Sequence, residues 1–379
     1  MIKVSCLNPI AKVGTDLLGD NYELVENFSD SDVALVRSAS VHDLDLHDNL
    51  VAVARAGAGV NNIPLDKCAE NGVVVFNTPG ANANGVKELV ITGMLLASRD
   101  ILGGNKWVAD NKDDENISKS MEKAKKQFAG GEILGKKIGI IGLGAIGRLV
   151  ANSCAALGMD VVGTDPFLSD AARAELDEKV VVVDTREEIY KTCDFISVHT
   201  PLLDDTKEMI NKDAMAMMKD GVVILNMARD LLVCDADMDE ALKSGKVKKY
   251  VTDFPNHATA NMDNVIATPH LGASTAESED NCAIMAVKEI KDFIENGNIK
   301  NSVNYPNVSL GDANAAGRIT VCFKGECPGF KNIVNGTDAT CANRGDYGYA
   351  IIDLDHAATA DDIAKVEACD NVLKARIVK

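Results

Sequence analysis

The sequence has no hydrophobic run near the roughly 18 residues that cross a bilayer, so no membrane span is predicted. Residues 1–6 read as a strand and lack the basic and apolar pattern of a secretory signal. The ten cysteines are scattered and form no Cys-x-x-Cys pair, which argues against a disulfide framework and against a zinc site. We therefore expect a cytoplasmic protein with reduced thiols and no bound metal.

Basic residues are also scarce. The chain has 39 Lys and Arg against 57 Asp and Glu, for a formal net charge of -18. Such an acidic surface repels nucleic acid and anionic lipid, so neither is expected as a partner. An anionic small-molecule substrate would need a locally basic pocket. The length of 379 residues and the hydrophobic fraction of 46% predict two or three globular domains with a large core.

What the sequence does contain is a glycine-rich turn between an apolar strand and a helix. Residues 138–147 read Ile-Gly-Ile-Ile-Gly-Leu-Gly-Ala-Ile-Gly, and a second apolar strand ends in Asp165, about 18 residues after Gly147. In a dinucleotide fold these glycines allow a tight turn, a close pyrophosphate and close helix packing, and the helix N-terminus attracts the phosphates. The turn offers as cofactor contacts Gly142, Gly144, Ala145, Ile146 and Gly147.

The acid after the second strand decides between the two nicotinamide dinucleotides. The Asp165 carboxylate would accept hydrogen bonds from the adenosine ribose, whereas its charge would repel a 2′-phosphate. The predicted cofactor is therefore NAD rather than NADP.

Strand and helix patterns alternate along most of the chain, which predicts an α/β fold. We expect a doubly wound parallel-sheet (Rossmann) domain over 85–276, inserted in a smaller flavodoxin-like α/β domain. That smaller, substrate-binding domain is discontinuous and comprises 1–84 and 277–305. A linker is expected over 303–316 because it has Pro, Gly and Asn and no periodicity, and an α+β unit follows over 317–379.

Two residues follow strands at positions where ligands bind in open α/β sheets. Arg229 follows the apolar run 222–227, and His270 follows the run 265–268. Oxidation of an alcohol by a nicotinamide needs a base beside the hydroxyl and a cation to hold the substrate. On these patterns alone, Arg229 is equally consistent with a surface salt bridge, and His270 with a helix cap or a core histidine.

Five separated segments resemble, in the right order, the D-isomer-specific 2-hydroxyacid dehydrogenases. They are 55–63, 77–80, 199–202, 225–235 and 268–275, so the resemblance covers about residues 1–305. It implies NAD-dependent dehydrogenation, with His270 taking the hydroxyl proton and Arg229 binding the carboxylate and the hydroxyl oxygen. It also implies cofactor contacts at Thr200, Pro201, Ala228, Asp253 and Gly272.

The same resemblance implies where the substrate binds. In this family the loop at 55–58 holds the substrate carboxylate through backbone N–H groups. The segment 36–39 resembles a loop whose arginine contacts a substrate phosphate, a role that suits a fork-shaped guanidinium. The residues assigned to substrate are Arg37, Ser38, Arg55, Ala56, Gly57 and Ala58. The implied substrate is 3-phosphoglycerate. The alternatives are another D-2-hydroxy acid, a non-catalytic NAD sensor and, for Arg37, a solvated strand end.

The last segment, 317–379, resembles an ACT regulatory domain, with Pro328 and Gly329 at the turn into its first helix. That resemblance implies an amino-acid effector. A unit of this size is marginal alone, so we expect it to pair with another copy. The helix near 85–98 and the arm around Trp107 resemble a second self-contact of the family, and the two together predict a homodimer or homotetramer.

One departure from the family pattern bears on the mechanism. The family has a glutamate after a Phe-Pro turn, where it orients the catalytic histidine. Here the turn reads Phe254-Pro255-Asn256-His257-Ala258, which puts His257 at about that place. The group that orients His270 is therefore open at this point.

Overall fold

The computed structural model describes residues 1–379, which divide into two compact units, 1–82 with 276–379 and 83–275. The strands, numbered along the chain, are β1 Ile2–Cys6, β2 Tyr22–Val25, β3 Val33–Val36, β4 Ala52–Arg55, β5 Val74–Phe76, β6 Lys137–Ile141, β7 Asp160–Thr164, β8 Val180–Val182, β9 Phe195–Val198, β10 Val222–Asn226, β11 Val247–Thr252, β12 Val265–Ala267, β13 Gly317–Lys324, β14 Asp338–Arg344, β15 Tyr347–Leu354 and β16 Val372–Ile377.

The helices lie between these strands and cover the sheets. They are α1 Lys12–Thr15, α2 Leu65–Glu70, α3 Ala83–Ser98, α4 Ile101–Asp110, α5 Ile117–Ala124, α6 Ala145–Ala156, α7 Asp170–Ala174, α8 Arg186–Thr192, α9 Lys212–Met217, α10 Asp235–Ser244, α11 Ala276–Asn296, α12 Phe330–Ile333 and α13 Ala360–Glu367. None of them is both long and apolar enough to cross a membrane.

The unit 83–275 contains a seven-stranded parallel sheet in the order β12-β11-β10-β9-β6-β7-β8. Every residue of β10 is buried, as expected for a parallel strand with helices on both faces. The order reverses between β6 and β9, which pair in register from Ile138 with Phe195 to Ile141 with Val198. This reversal is the point at which ligands bind in doubly wound sheets.

The other unit contains a five-stranded parallel sheet in the order β2-β1-β3-β4-β5, which is the flavodoxin-like order. Helix α11 packs on this sheet through an apolar face that includes Val287, Ile290 and Phe293. The predicted fold class, a Rossmann sheet with a flavodoxin-like α/β sheet, is confirmed. Strand β2 has no continuous apolar run in the sequence, since only one of its four residues is buried at the sheet edge.

Residues 317–377 form a four-stranded antiparallel sheet in the order β14-β15-β13-β16, with α12 and α13 making a βαββαβ sequence of elements. Successive side chains of β13 point to opposite faces of the sheet. On one face, Val321 and Phe323 pack with Phe330 of α12. Cys322 of the same strand, with Tyr349, belongs to the core that holds Phe293. One face of this small sheet is therefore covered by the rest of its own unit.

The segment predicted as a linker, 303–316, is not an exposed connection in its first half. Tyr305 is fully buried, and its hydroxyl donates to the Ala69 carbonyl at 2.7 Å. Val308 exchanges both backbone hydrogen bonds with Ile299. The burial of Tyr305 and the backbone pairing of Val308 therefore fix this half of the segment, although its Pro, Gly and Asn content is typical of a linker.

Candidate active site

The glycine turn after β6 has the shape that a close ligand requires. Gly142 has φ +93°, and a Cβ there would lie 2.7 Å from the His199 carbonyl oxygen. A Cβ on Gly144 would meet nothing within 4 Å, so the backbone faces open space at this glycine. Gly147 packs against the Gly142 carbonyl at the start of α6. Only glycine fits the first and third positions, and the second leaves room for a phosphate.

A cavity of about 490 Å³ opens at this turn, between the carboxyl ends of β6 and β9. Five of the residues predicted to contact the cofactor line this cavity: Gly142, Gly144, Asp165, Thr200 and Pro201. Its size lies within the range of cofactor sites, about 300–1,000 Å³. The turn and the cavity together fit a dinucleotide. The NAD chemistry expected here is hydride transfer at the nicotinamide.

The Asp165 carboxylate is fixed at the edge of this cavity by two backbone donors. Its Oδ2 accepts from the Leu143 N–H and its Oδ1 from the Phe167 N–H, both at 2.9 Å. The Leu143 bond ties the acid to the glycine turn itself. Asp165 therefore holds the glycine turn in place, and its contact with a ribose stays a prediction.

Sequence reasoning did not single out the side chain of His199, which also lines the cavity. Its Nε2 is 2.8 Å from the Ser197 hydroxyl, and its buried Nδ1 has no hydrogen-bond partner. Burial lowers the pKa of His199 to about 4, so the imidazole is neutral near neutral pH. The signal in the sequence was its place directly before Thr200. Phe167 and Arg186 line the same cavity and were likewise not predicted.

The turn that carries His270 is organised by Asp253. This carboxylate is 2% exposed and accepts from the Leu271 and Gly272 N–H groups at 2.7 and 2.8 Å and from the Thr268 hydroxyl at 2.6 Å. His270 has φ +58°, an unusual value for a residue other than glycine, and its N–H donates to the Asp253 carbonyl. Such strain is often held at functional sites, and here the Asp253 bonds maintain it.

A second side chain, Phe254, contacts both of the predicted catalytic residues. Its ring centroid lies 4.5 Å from that of His270 at an interplanar angle of 47°. The Arg229 guanidinium carbon lies 5.5 Å from the centre of the same ring, and Arg229 Nη1 donates to the Ala228 carbonyl at 2.6 Å. The fold therefore joins Arg229, Phe254 and His270 into one cluster, although they are distant in sequence.

No carboxylate forms an ion pair with the His270 imidazole. The ion pairs that involve a histidine ring nitrogen are both formed by His356. His257 is exposed, and its carbonyl accepts from Asn261 Nδ2. Asn256 donates to Asp235 at 2.7 Å, so it also points to another partner. The structure therefore agrees with the sequence that this turn supplies no carboxylate partner for His270.

In the other unit, Arg37 directly follows β3, on a loop that is held from both sides. Its N–H donates to Asn8 Oδ1 at 2.9 Å, and its carbonyl accepts from Arg55 Nε at 3.1 Å. Asn8 Nδ2 also donates to the Ser38 hydroxyl at 2.8 Å. The Arg37 guanidinium is not solvated alone, because its Nη2 lies 2.6 Å from Glu279 Oε1 of α11.

The loop at 55–58 is tightly wound. A Cβ on Gly57 would lie 2.6 Å from Arg55 Nη1, so the absence of a side chain lets the guanidinium lie over the loop. The N–H of Ala56 donates to the Val36 carbonyl at 2.8 Å and that of Gly57 to the Arg55 carbonyl at 2.9 Å. The Ala58 carbonyl accepts from Asn77 Nδ2 at 2.5 Å. Carboxylate binding by these N–H groups stays a prediction, and the Ala58 N–H is the donor without an internal acceptor.

Comparison with known proteins places this geometry in a family. Residues 91–272 match the profile described as "D-isomer specific 2-hydroxyacid dehydrogenase, NAD binding domain". A hydroxypyruvate reductase from Thermotoga maritima is 38% identical over 280 residues, which are 71% of this chain and 86% of that protein. The chain belongs to the D-isomer specific 2-hydroxyacid dehydrogenase family. The family assignment and the NAD cofactor predicted from the sequence are thereby confirmed.

The chain is also similar to dehydrogenases that are named for phosphoglycerate. A D-3-phosphoglycerate dehydrogenase from Methanocaldococcus jannaschii is 34% identical over 295 residues, which are 76% of this chain and 54% of that protein. The solved structure of NAD⁺-bound 3-phosphoglycerate dehydrogenase from Entamoeba histolytica superposes with a TM-score of 0.61 at 26% identity, covering 82% of this chain and 99% of that one. The chain spans about half the length of the curated phosphoglycerate dehydrogenases it matches.

Proposed function

We propose that the chain catalyses the NAD-dependent oxidation of 3-phosphoglycerate to 3-phosphohydroxypyruvate, the first step of serine biosynthesis. The observation that carries this substrate is Arg37, whose backbone is fixed by two hydrogen bonds directly after β3. On a chain with net charge -18, this arginine beside Arg55 is the anion site that we propose for the phosphate. Relatives named D-3-phosphoglycerate dehydrogenase support the same assignment.

The proposal gives each group one role. His270 accepts the hydroxyl proton, and Arg229 holds the carboxylate and polarises the reacting oxygen. The loop at 55–58 contributes N–H groups to the carboxylate, and Arg37 binds the phosphate. NAD, when bound, accepts the hydride from the substrate carbon.

The test is a turnover assay of the purified chain with NAD, comparing 3-phosphoglycerate with unphosphorylated D-glycerate. A charge-assisted hydrogen bond contributes about 1.5–3 kcal/mol, so Arg37→Ala should raise KM for 3-phosphoglycerate by about tenfold to a hundredfold. The KM for D-glycerate should change little.

Lys12→Ala is the matched control. Lys12 is a cation of the same unit that also pairs with a carboxylate, Asp16, at 2.6 Å. The control should leave both KM values unchanged. Equal losses on both substrates in Arg37→Ala would assign Arg37 to the carboxylate or to structure, and would remove the support for a phosphorylated substrate.

A second candidate function is reduction of an unphosphorylated 2-keto acid such as hydroxypyruvate. Two observations favour it. The Thermotoga relative is named hydroxypyruvate reductase, and the Arg37 guanidinium already forms an ion pair with Glu279. Higher kcat/KM for hydroxypyruvate with NADH than for 3-phosphohydroxypyruvate would select this function. NAD binding without turnover of any 2-hydroxy acid would favour the non-catalytic sensor.

For residues 317–379 we propose a regulatory and self-associating role, with an amino acid such as serine as effector. The βαββαβ order of elements supports this proposal, as does β14, an edge strand that pairs only with β15. Light scattering should give the mass of a dimer or tetramer, and serine should slow turnover. A monomer whose rate does not respond to serine would contradict both parts.

A further inference from the structure

The catalytic histidine proposed above needs something to hold its ring, because a base that rotates loses alignment with its proton. This inference rests on the proposed role of His270. Asp253 fixes the backbone on either side of His270, through the N–H groups of Leu271 and Gly272. Those bonds fix the direction of the Cα–Cβ bond. They do not fix the rotation of the imidazole about it.

The contact that restricts the imidazole is aromatic. The Phe254 ring lies 4.5 Å from it, tilted by 47°, within the range of favourable ring pairs. Phe254 itself lies two residues after β11, whose last three residues are buried, and its N–H donates to the Thr252 hydroxyl at 3.1 Å. The backbone that carries the ring is therefore tied to the end of this strand. No carboxylate lies within ion-pair distance of the His270 ring nitrogens.

We propose that Phe254 is the positioning residue for His270 in this chain, in place of an orienting carboxylate. The ring face limits rotation of the imidazole by packing. It also favours the imidazolium that forms when the base takes the proton, since an aromatic face attracts a cation. The same ring meets the Arg229 guanidinium at 5.5 Å, so it sets the spacing between the base and the cation that holds the substrate.

The first experiment compares Phe254→Leu with Phe254→Tyr in the full chain. The leucine keeps apolar volume but removes the ring face, and misplacing a catalytic group by about 1 Å can cost about a hundredfold. We expect kcat to fall by about tenfold to a hundredfold in Phe254→Leu, with KM for NAD unchanged. Phe254→Tyr restores the ring and should keep kcat within about threefold of the unmodified enzyme.

Phe28→Leu is the matched control. Phe28 pairs edge-on with His47 at 5.2 Å, so this variant also removes a phenylalanine–histidine contact. It should leave kcat unchanged. Thermal denaturation of all three variants shows whether any loss of activity follows loss of folding.

A spectroscopic measurement tests the contact without activity. The Phe254 ring current should displace the NMR signals of the His270 ring protons, which are identified as the signals that disappear in His270→Gln. Phe254→Leu should move them toward free-histidine values, and Phe254→Tyr should not. Unchanged signals and unchanged kcat in Phe254→Leu would overturn the proposal, as would a loss of kcat that tyrosine does not restore.

The two levels of inference can fail separately. Absence of turnover in the unmodified protein, with every 2-hydroxy acid tried, would refute the proposed function. In that case the NMR comparison of Phe254→Leu with Phe254→Tyr still decides whether Phe254 positions His270.

Discussion

In the proposed function, Glu279 competes with the substrate phosphate for Arg37, and Glu279→Gln should show by how much. Glu279 Oε1 lies 2.6 Å from Arg37 Nη2, and each side chain is 41% exposed. A phosphate that binds this guanidinium competes with the carboxylate for its N–H donors. Ion pairs exposed to this degree contribute about 0.2–1 kcal/mol. Since about 1.4 kcal/mol is tenfold, removing the competitor should lower KM for 3-phosphoglycerate by about 1.5-fold to fivefold.

The substitution is close to isosteric and keeps the side chain in the first turn of α11. It removes one charge from the helix N-terminus, which costs about 0.3–1 kcal/mol of stability at most. Turnover is therefore measured well below the melting temperature of the variant. The KM for unphosphorylated D-glycerate should stay within error, because that substrate has no group for Arg37.

Two further proteins separate the ion pair from general charge. Glu277→Gln removes the same charge from the same turn of α11 without touching the pair and should leave KM unchanged. In an Arg37→Ala background, Glu279→Gln should have no effect, as a double-mutant cycle requires when the two residues act through each other. The reasoning is refuted if Glu279→Gln raises KM, or if it lowers KM equally for both substrates or in both backgrounds.

Three other outcomes follow from the structure. NAD should bind much more tightly than NADP, and Asp165→Ala should narrow the gap by weakening NAD, because it loses both the ribose acceptor and the bond to the glycine turn; equal affinities in calorimetry would contradict the assignment. His270→Ala should lower kcat by about 10²- to 10⁴-fold while calorimetry shows unchanged NAD affinity; near-normal turnover would mean that another residue is the base. Burial raises the pKa of Glu289 above its ordinary 4.5 to about 8, so its contribution to stability is fully present below pH 4.5 and is lost as the pH rises through 8. Glu289→Gln keeps an acceptor for Asn301. Its melting temperature should rise relative to that of the unmodified chain as the pH increases from 4.5 to 8. A constant difference in melting temperature over this range would show that Glu289 is not protonated in the folded protein.

Much of the cofactor site could be read from the sequence because its determinants are local. The glycines at 142, 144 and 147 follow a strand and open a helix, and the acid that ends β7 lies on the neighbouring strand. Short-range steric limits decide where only glycine fits, and they act wherever the turn is placed. The buried strands of both parallel sheets were visible for a similar reason, since strands covered on both faces are continuous apolar runs. The edge strands β2 and β14 were not, because they bury little.

The contact between Phe254 and His270 depended on the tertiary structure. Phe254 and His270 end up side by side because β11 and β12 are adjacent parallel strands whose carboxyl ends meet at one edge of the sheet. The Glu279 contact with Arg37 likewise joins residues far apart along the chain. Local sequence determines turns, strands and the residue types available for chemistry. Which side chains touch is determined by strand order and helix packing, since these bring together residues whose separation in sequence carries no periodic signal.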